Sequence, residues 1–219
     1  AVPYGRPWDK PYGTDDPTTG LPTYNESLFL QGWTLLLSAV DHEPSLAMTQ
    51  TYTHDLVDVS RQAIAKYSAK LYRDLAVAAA ANSSAGVRAA GSRLLGAIDD
   101  VDQVLLTQRG FLFGEWMESA KRHGTTADER TMMDWNARTQ VTFWEYPQPD
   151  PSNASSVFKP SNLQDYACKQ WAGLLNSYYR PRWERFINQT IEQLQGPDPG
   201  APFDVDRYYQ WMYAWFDKW

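Results

Sequence analysis

Apolar residues recur at helical spacing over most of this chain. Leu28, Phe29, Trp33, Leu36 and Leu37 predict a helix that begins at Asn25 and stops in the loop around His42-Glu43-Pro44. A longer helix runs from about Tyr52 to Ala80. Leu56, Val59, Ala63, Tyr67 and Leu71 mark one face of it, and Asp55, Asp58, Arg61 and Lys66 are polar punctuation. Asn82-Ser83-Ser84 breaks that helix and supplies a cap for the next, about Ala85 to Thr107. The alanine-rich stretch from Ala76 to Ala81, facing Ala89 and Ala90, lets the two approach closely as an antiparallel hairpin.

Gly110 closes that pair, and a fourth helix follows from Phe111 to His123. Thr126, with Glu129 three residues on, reads as a capping box for a fifth helix from Ala127 to Trp144. A Pro- and Ser-rich insertion at 147–161 comes next. Ser161 or Asn162 then caps a sixth helix, and Pro181 sits where a first-turn proline belongs in a seventh that ends near Gln195. Residues 196–202 (GPDPGAP) are a hard break before the ring-rich helical tail FDVDRYYQWMYAWFDKW. Residues 1–23, with five prolines and three glycines, fit no regular element. They read as an extended strap or linker with Tyr4, Trp8 and Tyr12 as anchors. The start at Ala1, without Met, suggests a processed piece or a domain of something longer. No period-2 alternation, internal repeat or glycine-rich phosphate loop is present. The expected fold is all-α, an array or bundle of about seven or eight helices over residues 24–219.

Composition narrows the function. The 219 residues are 43% hydrophobic, enough to bury a sizeable core. The net charge of −6, without any strong Lys/Arg cluster, excludes nucleic acid as a partner. No apolar run is long enough to span a bilayer, so no membrane partner is expected. The single cysteine, Cys168, permits no intrachain disulfide, which by itself would suit a reducing compartment. Four sequons point the other way: Asn25-Glu-Ser, Asn82-Ser-Ser, Asn153-Ala-Ser and Asn188-Gln-Thr. They favour the secretory pathway, with Asn25, Asn82, Asn153 and Asn188 as glycosylation candidates.

The catalytic signals are negative. His42, His54 and His123 are scattered, and with one cysteine they make no zinc site. The clusters Asp99-Asp100-Val-Asp102 and Asp204-Val-Asp206 lack the glycine and closing glutamate of a calcium loop, and read as solvated helix faces and a cap. No nucleophile elbow exists, and Cys168 reads as a small buried residue. Glu115, Glu118, Glu145 and Glu184 have ordinary polar-face explanations. No cofactor or metal is expected. What stands out is residues 134–186, where Trp135, Phe143, Trp144, Tyr146, Tyr166, Trp171, Tyr178, Tyr179 and Trp183 lie among amides and charges. Such rings form either an aromatic core or the wall of a sugar pocket.

Five stretches carry a resemblance. These are YNESLFLQGWTLLL (Tyr24–Leu37), DLVDVSRQ (Asp55–Gln62), FLFGEWMESA (Phe111–Ala120), NARTQVTFW (Asn136–Trp144) and DYACKQWAGLLNSYYRPRW (Asp165–Trp183). In this order they resemble the C-terminal helical domain of the α-N-acetylglucosaminidases, glycoside hydrolase family 89, over roughly residues 21–195 and more loosely the tail. The resemblance implies a parent enzyme with a central (β/α)8 barrel. On it, two glutamates cleave a terminal α-linked N-acetylglucosamine with retention; in animals the glycan is heparan sulfate and the compartment the lysosome. None of this chain matches the barrel motifs, so no catalytic residue is expected here and the isolated chain is predicted inactive. The resemblance puts Trp144 against the bound sugar, with Leu163 and Tyr166 entering from the next helix. Asp165, Lys169, Gln170, Arg180 and Arg182 are expected to be structural. Trp171, Tyr178, Tyr179 and Trp183 are expected to belong to the core or the barrel contact. Two departures stand out: the 147–161 insertion, which would overhang the pocket, and Cys168, where relatives carry a polar or small residue. The implied partners are the barrel and an N-acetylglucosamine-terminated glycan, in a secreted or lysosomal/vacuolar setting. A different class remains open: a non-catalytic carbohydrate-binding or interaction module with the same helical fold.

Overall fold

The computed structural model describes residues 24–142, 167, 169–216 and 218. Within them seven α-helices follow one another: α1 Glu26–His42, α2 Gln50–Ala80, α3 Ser84–Leu106, α4 Phe113–Lys121, α5 Ala127–Val141, α6 Arg180–Leu194 and α7 Val205–Phe216. The strap at 1–23 and the insertion at 147–161 lie outside the described residues. Among those described, the only extended pairing is an isolated parallel bridge between Leu112 and Ala172.

Local chemistry sets most boundaries. Asn25 starts α1 by accepting from the Leu28 amide, and Ser83 starts α3 by accepting from Gly86. Thr126 and Glu129 close the expected capping box at α5. Asp204 accepts from the Arg207 amide at the start of α7. The hairpin of α2 and α3 is tight at its turn, where a Cβ on Gly86 would lie 3.0 Å from Ala78 Cβ. α3 then packs on α6 with Gly91 directly under Ile187, where a Cβ would come within 2.7 Å of that side chain. Glycine is required there by close approach.

The core follows the seam of α3: Val87, Ala90, Leu94, Ala97, Ile98, Val101 and Leu105 are all buried. It continues through Tyr178, Tyr179, Trp183, Phe186 and Ile187 into Tyr208, Tyr209, Met212, Tyr213 and Phe216. Phe186 is fully buried among Trp183, Phe203 and Tyr208, with ring centroids at 5.8, 4.8 and 6.2 Å. The expected core role of Tyr178, Tyr179 and Trp183 holds.

Four expectations need correction. On α2 the buried residues are Val57, Ser60, Ala63, Leu71 and Leu75, while Leu56 and Val59 are half-buried and Tyr67 is 53% exposed. The true seam passes through Ser68, whose hydroxyl donates to the Ile64 carbonyl at 2.9 Å. A self-satisfied serine in an apolar stripe is invisible to a hydrophobicity pattern, and Tyr67 beside it misleads. The fourth helix starts at Phe113, two residues late. Phe113 N–H donates to Ala172 O and Ala172 N–H to Phe111 O, which holds Leu112 extended.

The third correction concerns the expected sixth helix, whose start lies outside the described residues. Lys169–Gly173 are not helical, because Ala172 is paired to the Leu112 region and Gly173 has φ +86°. The separate seventh helix is also absent. The helical path begins at Leu174, runs through a π turn at Leu175–Tyr179, and continues unbroken into α6. Arg180 N–H donates to Leu175 O, five residues back. This widened turn directly precedes Pro181, which has no N–H for the bond to the fourth residue before it and would crowd that carbonyl. The proline is therefore absorbed inside a helix.

Candidate functional site

The five sequence stretches meet in space. Trp33 of the first donates its indole N–H to Ser60 Oγ of the second at 2.9 Å. One residue on, Arg61 grips Asp58 with Nε at 2.9 Å and Nη2 at 2.6 Å, and its Nη1 donates to Gln170 Oε1 at 2.9 Å. Arg61 thus ties α2 to the fifth stretch across 109 residues of sequence. Trp116 of the third donates to the Ala137 carbonyl of the fourth at 3.0 Å, and its ring lies 5.8 Å from that of Trp171. The Lys169 ammonium stands 5.4 Å over the Trp171 ring.

These contacts surround the two points where residues 143–166 leave and rejoin the described fold. At the exit, Thr142 is fully buried, its hydroxyl donating to Arg138 O at 2.7 Å and its amide to Thr139 O. Arg138 pairs with Asp134 at 2.7 Å, and Lys121 approaches that same carboxylate at 4.0 Å. The hydrogen bond that Lys121 donates to the Glu118 carboxylate raises the pKa of its ammonium above the ordinary lysine value, with the charges of Glu118 and Asp134 adding to it. At the return, Gln170 is held by Arg61 and Ala172 by its bridge to Leu112. Trp144, Leu163, Tyr166 and Asn153 lie outside the described residues, as do Asp165 and Cys168.

Gln170, Arg180 and Arg182 take the structural parts expected of them. Arg180 Nε donates to Asp99 at 2.7 Å and Nη1 reaches Glu184 at 3.4 Å. Arg182 is fully buried, its guanidinium 4.7 Å from the Tyr178 ring centroid and its carbonyl accepting from Tyr208 Oη. The reading of Asp102 as part of a solvated face is overturned. It is 3% exposed, and Oδ1 accepts from the amides of Gly173 at 2.8 Å and Asn176 at 3.3 Å. It caps the start of the π-turn helix from a neighbouring helix. A signal existed: Asp102 lies four residues after Ile98 and three before Leu105 on the α3 seam. Arg61 carried no such signal, because its partner is far away in sequence.

No group of three His, Cys, Asp or Glu side chains converges as a metal site among the described residues. Nor is any helix there long and apolar enough to cross a membrane. Asn25, Asn82 and Asn188 are exposed, and Asn82 takes the left-handed conformation at φ 51° that ends the α2 hairpin turn.

Comparison with known proteins places this arrangement. Human alpha-N-acetylglucosaminidase is 31% identical over 186 residues, covering 84% of this chain and 22% of the human protein. A family 89 glycoside hydrolase from Clostridium perfringens, solved with PUGNAc, shares the fold at TM-score 0.69 and 22% identity, over 88% of this chain and 21% of that one. A doubly Glu→Gln substituted form from the same organism, solved with its substrate GlcNAc-alpha-1,4-galactose, matches at the same TM-score over 93% and 23%. The chain spans about a fifth of the length of the relatives it matches. The family model for the alpha-N-acetylglucosaminidase (NAGLU) C-terminal domain matches residues 6–219, reaching further in both directions than the five stretches. The chain belongs to the α-N-acetylglucosaminidase family and carries its C-terminal domain.

Proposed function

We propose that this chain forms one wall of the pocket in an α-N-acetylglucosaminidase whose two catalytic glutamates lie on a barrel outside it. The carrying observation is that contacts among all five stretches meet at Gln170 and Trp171, just after the chain returns, and at Ala137, in the last turns of α5 before it leaves. Two separate networks, Asp58–Arg61–Gln170 and Trp116–Ala137–Trp171, fix both ends of one segment. That investment makes sense when the segment between them must be aimed at something. Trp144 would offer the flat indole to the C–H face of a terminal α-linked N-acetylglucosamine, with Leu163 and Tyr166 beside it. In this reading the 147–161 insertion would overhang the pocket and alter access to it.

The relatives' length supports a body beyond this chain, and so does α1, which buries no residue and leaves Leu28 63% and Leu35 65% exposed. In the retaining scheme, one glutamate attacks the anomeric carbon while the other protonates the leaving oxygen, then activates water. This domain contributes binding and orientation only. The exposed sequons at Asn25, Asn82 and Asn188 fit passage through the secretory pathway to a secreted or lysosomal/vacuolar destination.

The test is kinetic. In the parent protein, Trp144→Ala should lower kcat/KM on an aryl α-N-acetylglucosaminide at least tenfold. Arg61→Ala should reproduce part of that loss through the position of Gln170. Activity in purified residues 1–219 alone, or unchanged kcat/KM in Trp144→Ala, would refute the reading.

A further inference from the structure

A groove of about 420 Å³ runs between α3 and α6, away from the Thr142 and Gln170 supports. Its α3 side presents Arg88, Ser92 and Gly96, and its α6 side Ile187, Asn188 and Ile191. The helices run antiparallel here, since Gly91 meets Ile187 while Asp99 meets Arg180. The groove therefore extends from Arg88 at one end to the Arg180–Asp99 pair at the other. Its size is that of a small-ligand site, of the order of 300–1,000 Å³.

Gly96 is the informative residue. A glycine inside a helix costs about 0.5–1 kcal/mol relative to alanine, so it normally answers a packing demand. Gly86 and Gly91 each answer one, against Ala78 and Ile187. Gly96 does not, because a Cβ built there meets nothing within 4 Å; Gly32 and Gly114 are equally open, but of the three only Gly96 lines the groove. What it leaves room for is supplied by no neighbour among the described residues. Arg88 is exposed and pairs with no carboxylate among the described residues, although Arg93 on the same helix pairs with Asp74. A cationic donor at Arg88, the Ser92 hydroxyl, the carboxylates of Asp99 and Glu184 and the narrow exposed edges of Ile187 and Ile191 suit a neutral polar ligand with one small apolar group.

One such ligand would arrive already tethered. Asn188 lines the groove, is exposed, and heads the sequon Asn188-Gln189-Thr190. We propose that the groove between α3 and α6 is the seat of the core N-acetylglucosamine units of a glycan on Asn188. The sugars lie along α3 toward Gly96, with Arg88 and Ser92 donating to the oxygens of the first and its acetamido methyl against the exposed edge of Ile187. Gly96 is one turn beyond Ser92, about 6 Å along the axis, within reach of the first two sugars. This inference rests on the secretory reading above, but makes a demand at Asn188 that Asn25 and Asn82 do not share.

The full chain, secreted from yeast so that every glycan is oligomannose, should be digested natively with endoglycosidase H, which cuts between the two core sugars. Site-specific glycopeptide mass spectrometry reads the rate at each asparagine. Release at Asn188 should be at least tenfold slower than at Asn25 and Asn82. Gly96→Leu fills the groove with a good helix former and should bring Asn188 up to their rate. Arg88→Ala, a change at an exposed side chain, should speed it severalfold. Equal rates in the unaltered chain overturn the proposal, and so does a slow Asn188 that neither variant accelerates. Occupancy at Asn25 and Asn82 with none at Asn188 overturns it while leaving the secretory reading intact. No occupancy at any site overturns both.

Discussion

The two ends of the described fold are built on opposite economies. At the C-terminal end, α6 and α7 bury rings against one another: Tyr178, Phe186, Tyr208, Tyr209, Tyr213 and Phe216 are all nearly inaccessible. At the N-terminal end, α1 contains as many leucines as a core helix but buries none, and Met48 after it is 90% exposed. Composition alone would rank them the wrong way round, since α1 is more apolar than either α6 or α7. What separates them is what faces each helix. α7 lies against the α6 core, whereas among the described residues α1 meets α2, through Trp33 to Ser60 and Tyr52 Oη to the Leu36 carbonyl, and the short turn Pro44–Met48. The aromatic end holds itself together, and the leucine end has apolar surface left over for another body.

Substitutions can break or sharpen that contrast. Phe186→Ala should have the largest effect, about 3–5 kcal/mol, because a fully buried ring leaves a cavity among three other rings. Urea unfolding with an unchanged slope is the measurement, and a loss under 1 kcal/mol would place the stability elsewhere. Asp102→Ala should cost about 2 kcal/mol, since it strips the acceptor from the Gly173 and Asn176 amides. Asp102→Asn, which keeps an acceptor oxygen, should lose much less.

Thr126→Ala should cost about 1 kcal/mol by removing the α5 cap. The same box has a pH signature. Hydrogen bonds from Thr125, side chain first and then its amide and that of Thr126, hold the Glu129 carboxyl below its ordinary value of 4.5. A depressed acid stabilises the fold above that ordinary value and loses its contribution as pH falls through the lower, folded one. Amide protection at the start of α5, taken relative to the intrinsic exchange rate at each pH, should therefore fall below about pH 4 in the parent chain, and Glu129→Gln should flatten that dependence. Leu35→Ala should change stability least, within about 0.5 kcal/mol, because the side chain is already in water. A loss like that of Phe186→Ala would mean that the leucine end holds a core of its own.

How much of this was legible follows from the range of each interaction. The helices, the α5 capping box and the α2–α3 turn were readable because caps and periodicity act within a few residues. The extended backbone at Leu112 and Lys169–Gly173 was not, since it depends on a pairing across 60 residues between Leu112 and Ala172. Asp102 was misread for a related reason. Its acidity announced solvent, while its place in the α3 seam announced burial, and two distant amides decide the matter. The proposal for Trp144, Leu163 and Tyr166 rests on family likeness, and no spacing rule would have singled them out.

The π turn at Leu175–Tyr179 has a consequence for how this domain can vary. One extra residue in a helical turn rotates everything on one side of it by about 100° relative to the other. The aim of the chain entering at Gln170 is thereby uncoupled in phase from α6, whose Trp183, Phe186 and Ile187 are committed to the core. Removal of a single residue between Leu175 and Tyr179 would act as a key turned in a lock. α6 would stay put while the incoming segment swung to a new bearing and took Ala172 and Leu174 out of their buried places, so a relative that re-aims it must repack that corner of the core.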